Sequence, residues 1–245
     1  MIKNITTLIL LLFSFSLVAE IEIPAHSTND QIVNHKYYTL KYNEDREQSD
    51  WVAYSLSDAM IKQGRAKRSN RFKADPYVST GSATLSDYKK SGYDRGHLCP
   101  AAAMRISPIA MKESFYLSNM SPQEPGFNRG IWKKLEAKVR KWAIKNKKIY
   151  VVTGPIFYSG EKHKEIGPNG VDVPDAYFKA ILDFRKPDIK AIAFILPNSK
   201  TNLPISSFAV SVDKAEEVTG IDFFSEVPDY IENDIEAKAN YNKWK

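Results

Sequence analysis

Cysteine is nearly missing from this chain: Cys99 stands alone, so no internal disulfide can form and any export must be tolerated without one. Histidine is scarce too. His26, His35, His97 and His163 lack partners at the spacing of a zinc site, which disfavours zinc-dependent hydrolysis. No internal repeat, long linker or low-complexity segment interrupts the sequence, which points to one globular domain. Apolar runs of membrane-spanning length are also lacking. Leu8 to Val18, broken by Ser14 and Ser16, is too short and too near the start.

That run reads instead as an export signal, with Lys3 as its positive start and Ala19 as a small residue for cleavage. Residues 1–19 are therefore expected to be removed, leaving 20–245 as a single domain, secreted or periplasmic and without stable membrane association. An uncleaved N-terminal anchor is the alternative. Hydrophobic residues make up 43% and aromatics 12%, ample for one sizeable core. Lys and Arg outnumber Asp and Glu by 35 to 29, a mild basic excess that suits a polyanionic partner.

The most informative stretch is Gly92 to Pro100, GYDRGHLCP. In an extended chain alternate side chains share a face, so Arg95 and His97 are expected to point the same way. A guanidinium beside an imidazole disfavours the imidazolium and leaves His97 neutral, able to accept a proton while Arg95 faces an anion. Alone, the stretch fits a structural histidine equally well. Cys99 lies two residues on and offers a rival as a thiol nucleophile, yet nothing assembles a base and orienter around it, and inert packing is the better reading.

Elsewhere, alternation predicts strands in KYYTLKY (36–42), WVAYSL (51–56), IYVVT (149–153), YFKAILDF (177–184) and AIAFIL (191–196). Gly154-Pro155 is expected to end the third of these. Helices are predicted near Pro108 to Leu117, over Arg129 to Asn146 with Asn128 as N-cap, and at the start of Val212 to Phe224. Strands outnumber long helices, so the class is mixed α+β. His26, His35 and His163 are read as surface residues.

In the long helix, Trp132, Leu135, Val139, Trp142 and Ala143 form one apolar stripe. Asn128 starts that stripe, and Glu136 flanks it about 80° round by ideal geometry. Glu136 is the one acid between Arg129 and Lys148. Facing the core side, it needs a metal, a water or a cation, a helical pair with Lys133 or Arg140 being the plain alternative. Upstream, GRAKRSNRFKADP (64–76) carries Arg65, Lys67, Arg68, Arg71 and Lys73 around Phe72. A solvated loop accounts for most of these, but one arginine suits bidentate phosphate contact. An asparagine oxygen with a supporting carboxylate is a credible magnesium site, because that ion keeps several waters and takes few protein ligands.

DRGHLCPAAAM, LSNMSPQ, FNRGIWKKLE and IYVVTGPIF together resemble the DNA/RNA non-specific endonucleases of the ββα-metal, or His-Me finger, group, over about residues 51–224. The resemblance implies a central antiparallel sheet flanked by helices with a ββα-metal finger, and Mg²⁺-dependent cleavage of DNA and RNA through the phosphate backbone, giving 5′-phosphate ends, with Mn²⁺ a possible substitute. It implies His97 as general base, Asn128 as direct metal ligand, Glu136 as the acid orienting metal-bound water, and Arg95 as a phosphate contact. Asn119 matches a supporting active-site asparagine, and an upstream phosphate-binding arginine falls on Arg68 or Arg71, Arg68 fitting better. A homodimer is left open. One departure is Ala103, where relatives place an acid. A silent nucleic-acid-binding module and a phosphodiesterase of smaller substrates are the competing functions.

Overall fold

The computed structural model describes residues 20–160 and 162–245, so the expected signal over 1–19 lies outside the described residues. A first meander comprises β1 (Gln31–Asn34), β2 (Thr39–Asn43) and β3 (Gln48–Ser57). The short helices α1 (Asp58–Gln63) and α2 (Leu85–Tyr88) lead to β4 (Asp94–His97), which carries DRGH. After α3 (Pro108–Glu113), β5 (Met120–Gln123) returns antiparallel to β4. Then come α4 (Pro125–Phe127), a wide turn over Asn128–Trp132, and α5 (Lys133–Lys145). The later strands are β6 (Lys148–Ile156), the small pair β7 (Glu165–Ile166) and β8 (Val171–Asp172), β9 (Ala176–Asp183), β10 (Lys190–Pro197) and β11 (Ala209–Val210). Near the C-terminus lie α6 (Val212–Thr219) and α7 (Asp229–Ile235).

Seven strands form one antiparallel sheet in the order β1-β2-β3-β6-β9-β10-β11. Side chains alternate between its faces, as period two requires. Val52, Tyr54 and Leu56 of β3, with Tyr177 and Ile181 of β9, meet the α5 stripe of Leu135, Val139, Trp142 and Ala143. Trp51 and Ala53, with Phe178, Ala180 and Leu182, face the other way, towards Val212 and Ala215 of α6 and Phe223. The α5 stripe is buried, and each of its large apolar residues contributes about 1.5–3 kcal/mol. This fastens the helix carrying Glu136 against the sheet. Among the described residues no helix is long and apolar enough to cross a membrane.

Three expectations change. β6 does not stop at Gly154-Pro155 but runs to Ile156. Its pairing with β3 ends at Thr153 while pairing with β9 continues, so the N–H that proline lacks falls beyond the last β3 partner. His35 is not a surface residue: its side chain is fully buried, 2.8 Å from Asp75 Oδ2. His163 is likewise largely covered and pairs with Asp175 at 3.0 Å.

Candidate active site

β4 and β5 form a two-stranded hairpin pairing His97 with Met120 and Gly96 with Ser121. A Cβ at Gly96 would lie 2.0 Å from Cδ of the buried Gln123 side chain, so any larger residue beside His97 would have to displace that side chain. The imidazole packs edge-on to Phe115 at 5.0 Å between ring centroids and tilts against Phe72 at 5.9 Å. Trp132 Nε1 donates to the His97 carbonyl at 3.4 Å, tying the strand to the start of α5. His97 is 8% exposed, and its Nε2 has no hydrogen-bond partner among the described residues. Burial, reinforced by the Arg68 guanidinium, brings its pKa down to about 3, so the ring is neutral throughout the physiological range.

The helix begins differently from the sequence expectation. Glu124, not Asn128, is the N-cap: its carboxylate accepts from Phe127 N–H at 2.8 Å. Asn128–Trp132 then form a wide π-type turn, with Gly130 at φ −97° and ψ −110°, before regular helix starts at Lys133. The non-helical Gly130 kinks the segment and breaks the ideal helical phase, and Asn128 and Glu136 line the same cavity. Asn128 is thereby released from capping. Its Nδ2 donates to Asp94 Oδ2 at 2.9 Å. A carboxylate only accepts, so this bond fixes the amide orientation and leaves Oδ1 without a donor among the described residues. Arg129 reaches Asp94 twice, at 2.8 and 2.5 Å. Although burial raises it, these hydrogen bonds hold the Asp94 carboxyl below its ordinary value.

A cavity of about 360 Å³ gathers Arg68, Arg95, His97, Asn128, Glu136 and Arg140, with Arg129 and Lys133 at its edge. Glu136 makes no ion pair within 4 Å among the described residues, so the expected alternative of a pair with Lys133 or Arg140 is not formed. Burial raises its carboxyl, while Lys179, Arg140, Arg68 and Lys133 pull the other way. Arg95 lies over Phe72 with Cζ 4.3 Å from the ring centroid, and Arg68 over Phe115 at 4.9 Å. The guanidinium that depresses His97 is therefore Arg68, not the neighbouring Arg95, and burial outweighs it. Arg71 is exposed and does not line the cavity.

Asn119 also lies outside it. Its Oδ1 accepts from Cys99 N–H at 2.8 Å, and its Nδ2 donates to the carbonyls of Cys99 and Ser114, both at 2.9 Å. With its amide spent on backbone, Asn119 braces the turn after His97 and does not line the cavity. Cys99 is fully buried, and burial pushes its thiol well up, so it is not a nucleophile.

Arg140, weighed in the sequence only as a helical partner of Glu136, lines the cavity itself. Lys179 was hidden as a lysine inside an apolar strand: it is fully buried on the α5 face, its Nζ without a hydrogen bond and 4.6 Å from the Trp132 ring centroid.

A β-hairpin carrying a buried neutral histidine, followed by a kinked helical segment that brings an asparagine to the same cavity, is the arrangement of a ββα-metal nuclease. The sequence profile of the family described as DNA/RNA non-specific endonuclease matches residues 19–230, and the chain belongs to that family. It is thus a nuclease by family, a hydrolase of nucleic acids. Nuclease C1 of Cunninghamella echinulata var. echinulata is 36% identical over 204 residues, spanning 78% of this chain and 81% of that protein. Mitochondrial endonuclease G of Homo sapiens is 33% identical over 205 residues, spanning 79% and 69% respectively. A chain in the crystal structure of the EndoG/EndoGI complex matches with a TM-score of 0.74 and 33% identity, covering 81% of this chain and 87% of that one.

These relatives overturn the expected secreted or periplasmic location. Those from Homo sapiens, Schizosaccharomyces pombe, Caenorhabditis elegans and Saccharomyces cerevisiae are mitochondrial nucleases, although one from Nostoc is bacterial. One lysine before a short apolar run is too generic a signal to name a compartment.

Proposed function

We propose that this chain is a Mg²⁺-dependent endonuclease cleaving DNA and RNA with little sequence preference and leaving 5′-phosphate ends. The observation that carries this reading is the unpartnered Nε2 of buried, neutral His97 on the cavity that also receives the undonated Oδ1 of Asn128 and the unpaired carboxylate of Glu136. An amide oxygen beside one carboxylate suits a hard, hydrated cation. Asn128 would hold that ion directly, with Glu136 anchoring its hydration shell. When bound, magnesium supplies electrostatic stabilisation of charge on the departing 3′ oxygen.

The protein groups divide the remaining work. Arg68 and Arg95, spread over Phe115 and Phe72, face an anion from two sides and seat the scissile phosphate. Seating it also answers a difficulty with His97, whose basicity is low in the free site. The arriving negative charge offsets the Arg68 field, so the imidazole becomes a better proton acceptor when substrate is present. His97 then takes a proton from the attacking water at Nε2. Contacts to phosphate rather than to base edges carry no sequence information, which accounts for the low specificity.

Purified protein incubated with supercoiled plasmid and with RNA, with and without EDTA, tests this reading. Cleavage of both polymers that stops on chelation is the expected result. Intact polymers in Mg²⁺ would leave only a silent binding module, and turnover confined to small phosphodiesters would show the smaller-substrate alternative.

A further inference from the structure

On the sheet face opposite α5, two helices meet at a knot of carboxylates. Asp213 and Glu216 of α6 and Glu236, just after α7, place carboxylate oxygens within 4.8 Å of one another. Independently of that clustering, Glu236 is only 2% exposed and its Oε1 has no hydrogen-bond partner. Backbone holds the group in place. Phe223 N–H donates to Glu216 Oε1 at 2.7 Å, and Asp213 N–H reaches the Glu236 carbonyl at 3.3 Å. Among the described residues none of the three acids forms an ion pair, and the nearby Lys214 is drawn to Glu217 at 2.7 Å. The charges that act most strongly on Glu236 are all negative: Glu216, Glu232 of α7, Asp213, and Asp222 in the loop after α6.

A buried carboxylate beside like charges must be neutralised by protons or by a cation. The donor set decides which cation: Ca²⁺ takes six to eight oxygens in a flexible geometry, whereas Mg²⁺ keeps most of its waters and takes one or two carboxylates. We propose that Asp213, Glu216 and Glu236 form a structural Ca²⁺ site that ties α7 to α6, distinct from the catalytic cavity. Three carboxylates offer up to six oxygens, and exposed Asp213 leaves room for water to complete the shell.

Without the ion, burial and neighbouring acids raise Glu216 to about 7 and Glu236 to about 9, above their ordinary 4.5.

The test is thermal unfolding of the full chain at pH 8 after chelation, with CaCl2 or MgCl2 added back. Ca²⁺ at a hundred-fold excess over its Kd should raise Tm by roughly 5–10 °C in the wild type and equally in Asn128→Ala, with Mg²⁺ doing less. Asp213→Asn and Glu236→Gln should each abolish the shift, and Glu236→Gln should melt above the wild type in EDTA. Three results would overturn the site: no Ca²⁺ shift in the wild type, a shift surviving Glu236→Gln, or a shift lost in Asn128→Ala. None of these readouts depends on nuclease activity.

Discussion

Replacing Asn119 by alanine would remove three hydrogen bonds from the interior without touching the catalytic cavity. The loss strands the Cys99 N–H and the carbonyls of Cys99 and Ser114, all served by one amide at 2.8–2.9 Å. An unsatisfied buried polar group costs about 1–3 kcal/mol, so three together, with partial relaxation, should destabilise the fold by roughly 3–6 kcal/mol. That is a large share of the 5–15 kcal/mol holding a typical domain together. Urea unfolding followed by tryptophan fluorescence would read it as a fall in midpoint at unchanged slope. Under conditions where the variant is still folded, kcat should drop more than KM, because the turn that anchors His97 is loosened while Arg68 and Arg95 remain. Asn119→Asp keeps the bond from Cys99 N–H but faces two carbonyls with an acceptor, so it should fail to rescue either property at neutral pH. A stability within about 0.5 kcal/mol of wild type for Asn119→Ala would refute the bracing role.

Three further outcomes follow from the same geometry. Arg68→Ala should weaken binding of DNA at the cavity and reduce the salt dependence of binding by about one phosphate contact, while Arg71→Ala should leave both near wild type. Because the folded His97 titrates at about 3 against 6.5 unfolded, its stabilising contribution is present above pH 6.5 and is lost as pH falls towards 3. His97→Phe should flatten that part of the stability–pH curve by a few kcal/mol at most, as acid titration of unfolding would show. Glu136→Gln should raise the Mg²⁺ concentration needed for half-maximal cleavage by about 10–100-fold, measured by plasmid nicking across a metal titration.

Much of this architecture could be read from residue patterns because the local signals agree with the tertiary contacts. The period-two strands fall where alternation put them, and the Trp132 to Ala143 stripe is buried as its helical period required. Of the candidate site, His97, Asn128 and Glu136 are the residues that the motifs name and that one cavity gathers. Local patterns mislead where tertiary context intervenes. The kink at Gly130 rephases Asn128, and no local pattern announces it beyond the glycine itself. Long-range packing brings Arg68, 29 residues upstream, closer in effect to His97 than adjacent Arg95. Asn119 resembled a site residue because it neighbours the histidine turn, yet its amide is consumed by backbone. The acids of α6 and α7 carry no linear motif at all, since Glu236 meets Asp213 and Glu216 through folding alone.

The central claim is that His97 is the base of a phosphodiester-cleaving site whose substrate grip lies elsewhere, and His97→Ala separates the two. Single-turnover cleavage of a labelled duplex in Mg²⁺ should fall by about 10²–10⁴-fold, while its Kd in the same buffer stays within a few-fold of wild type. Cleavage at the wild-type rate would contradict the assignment of the base outright.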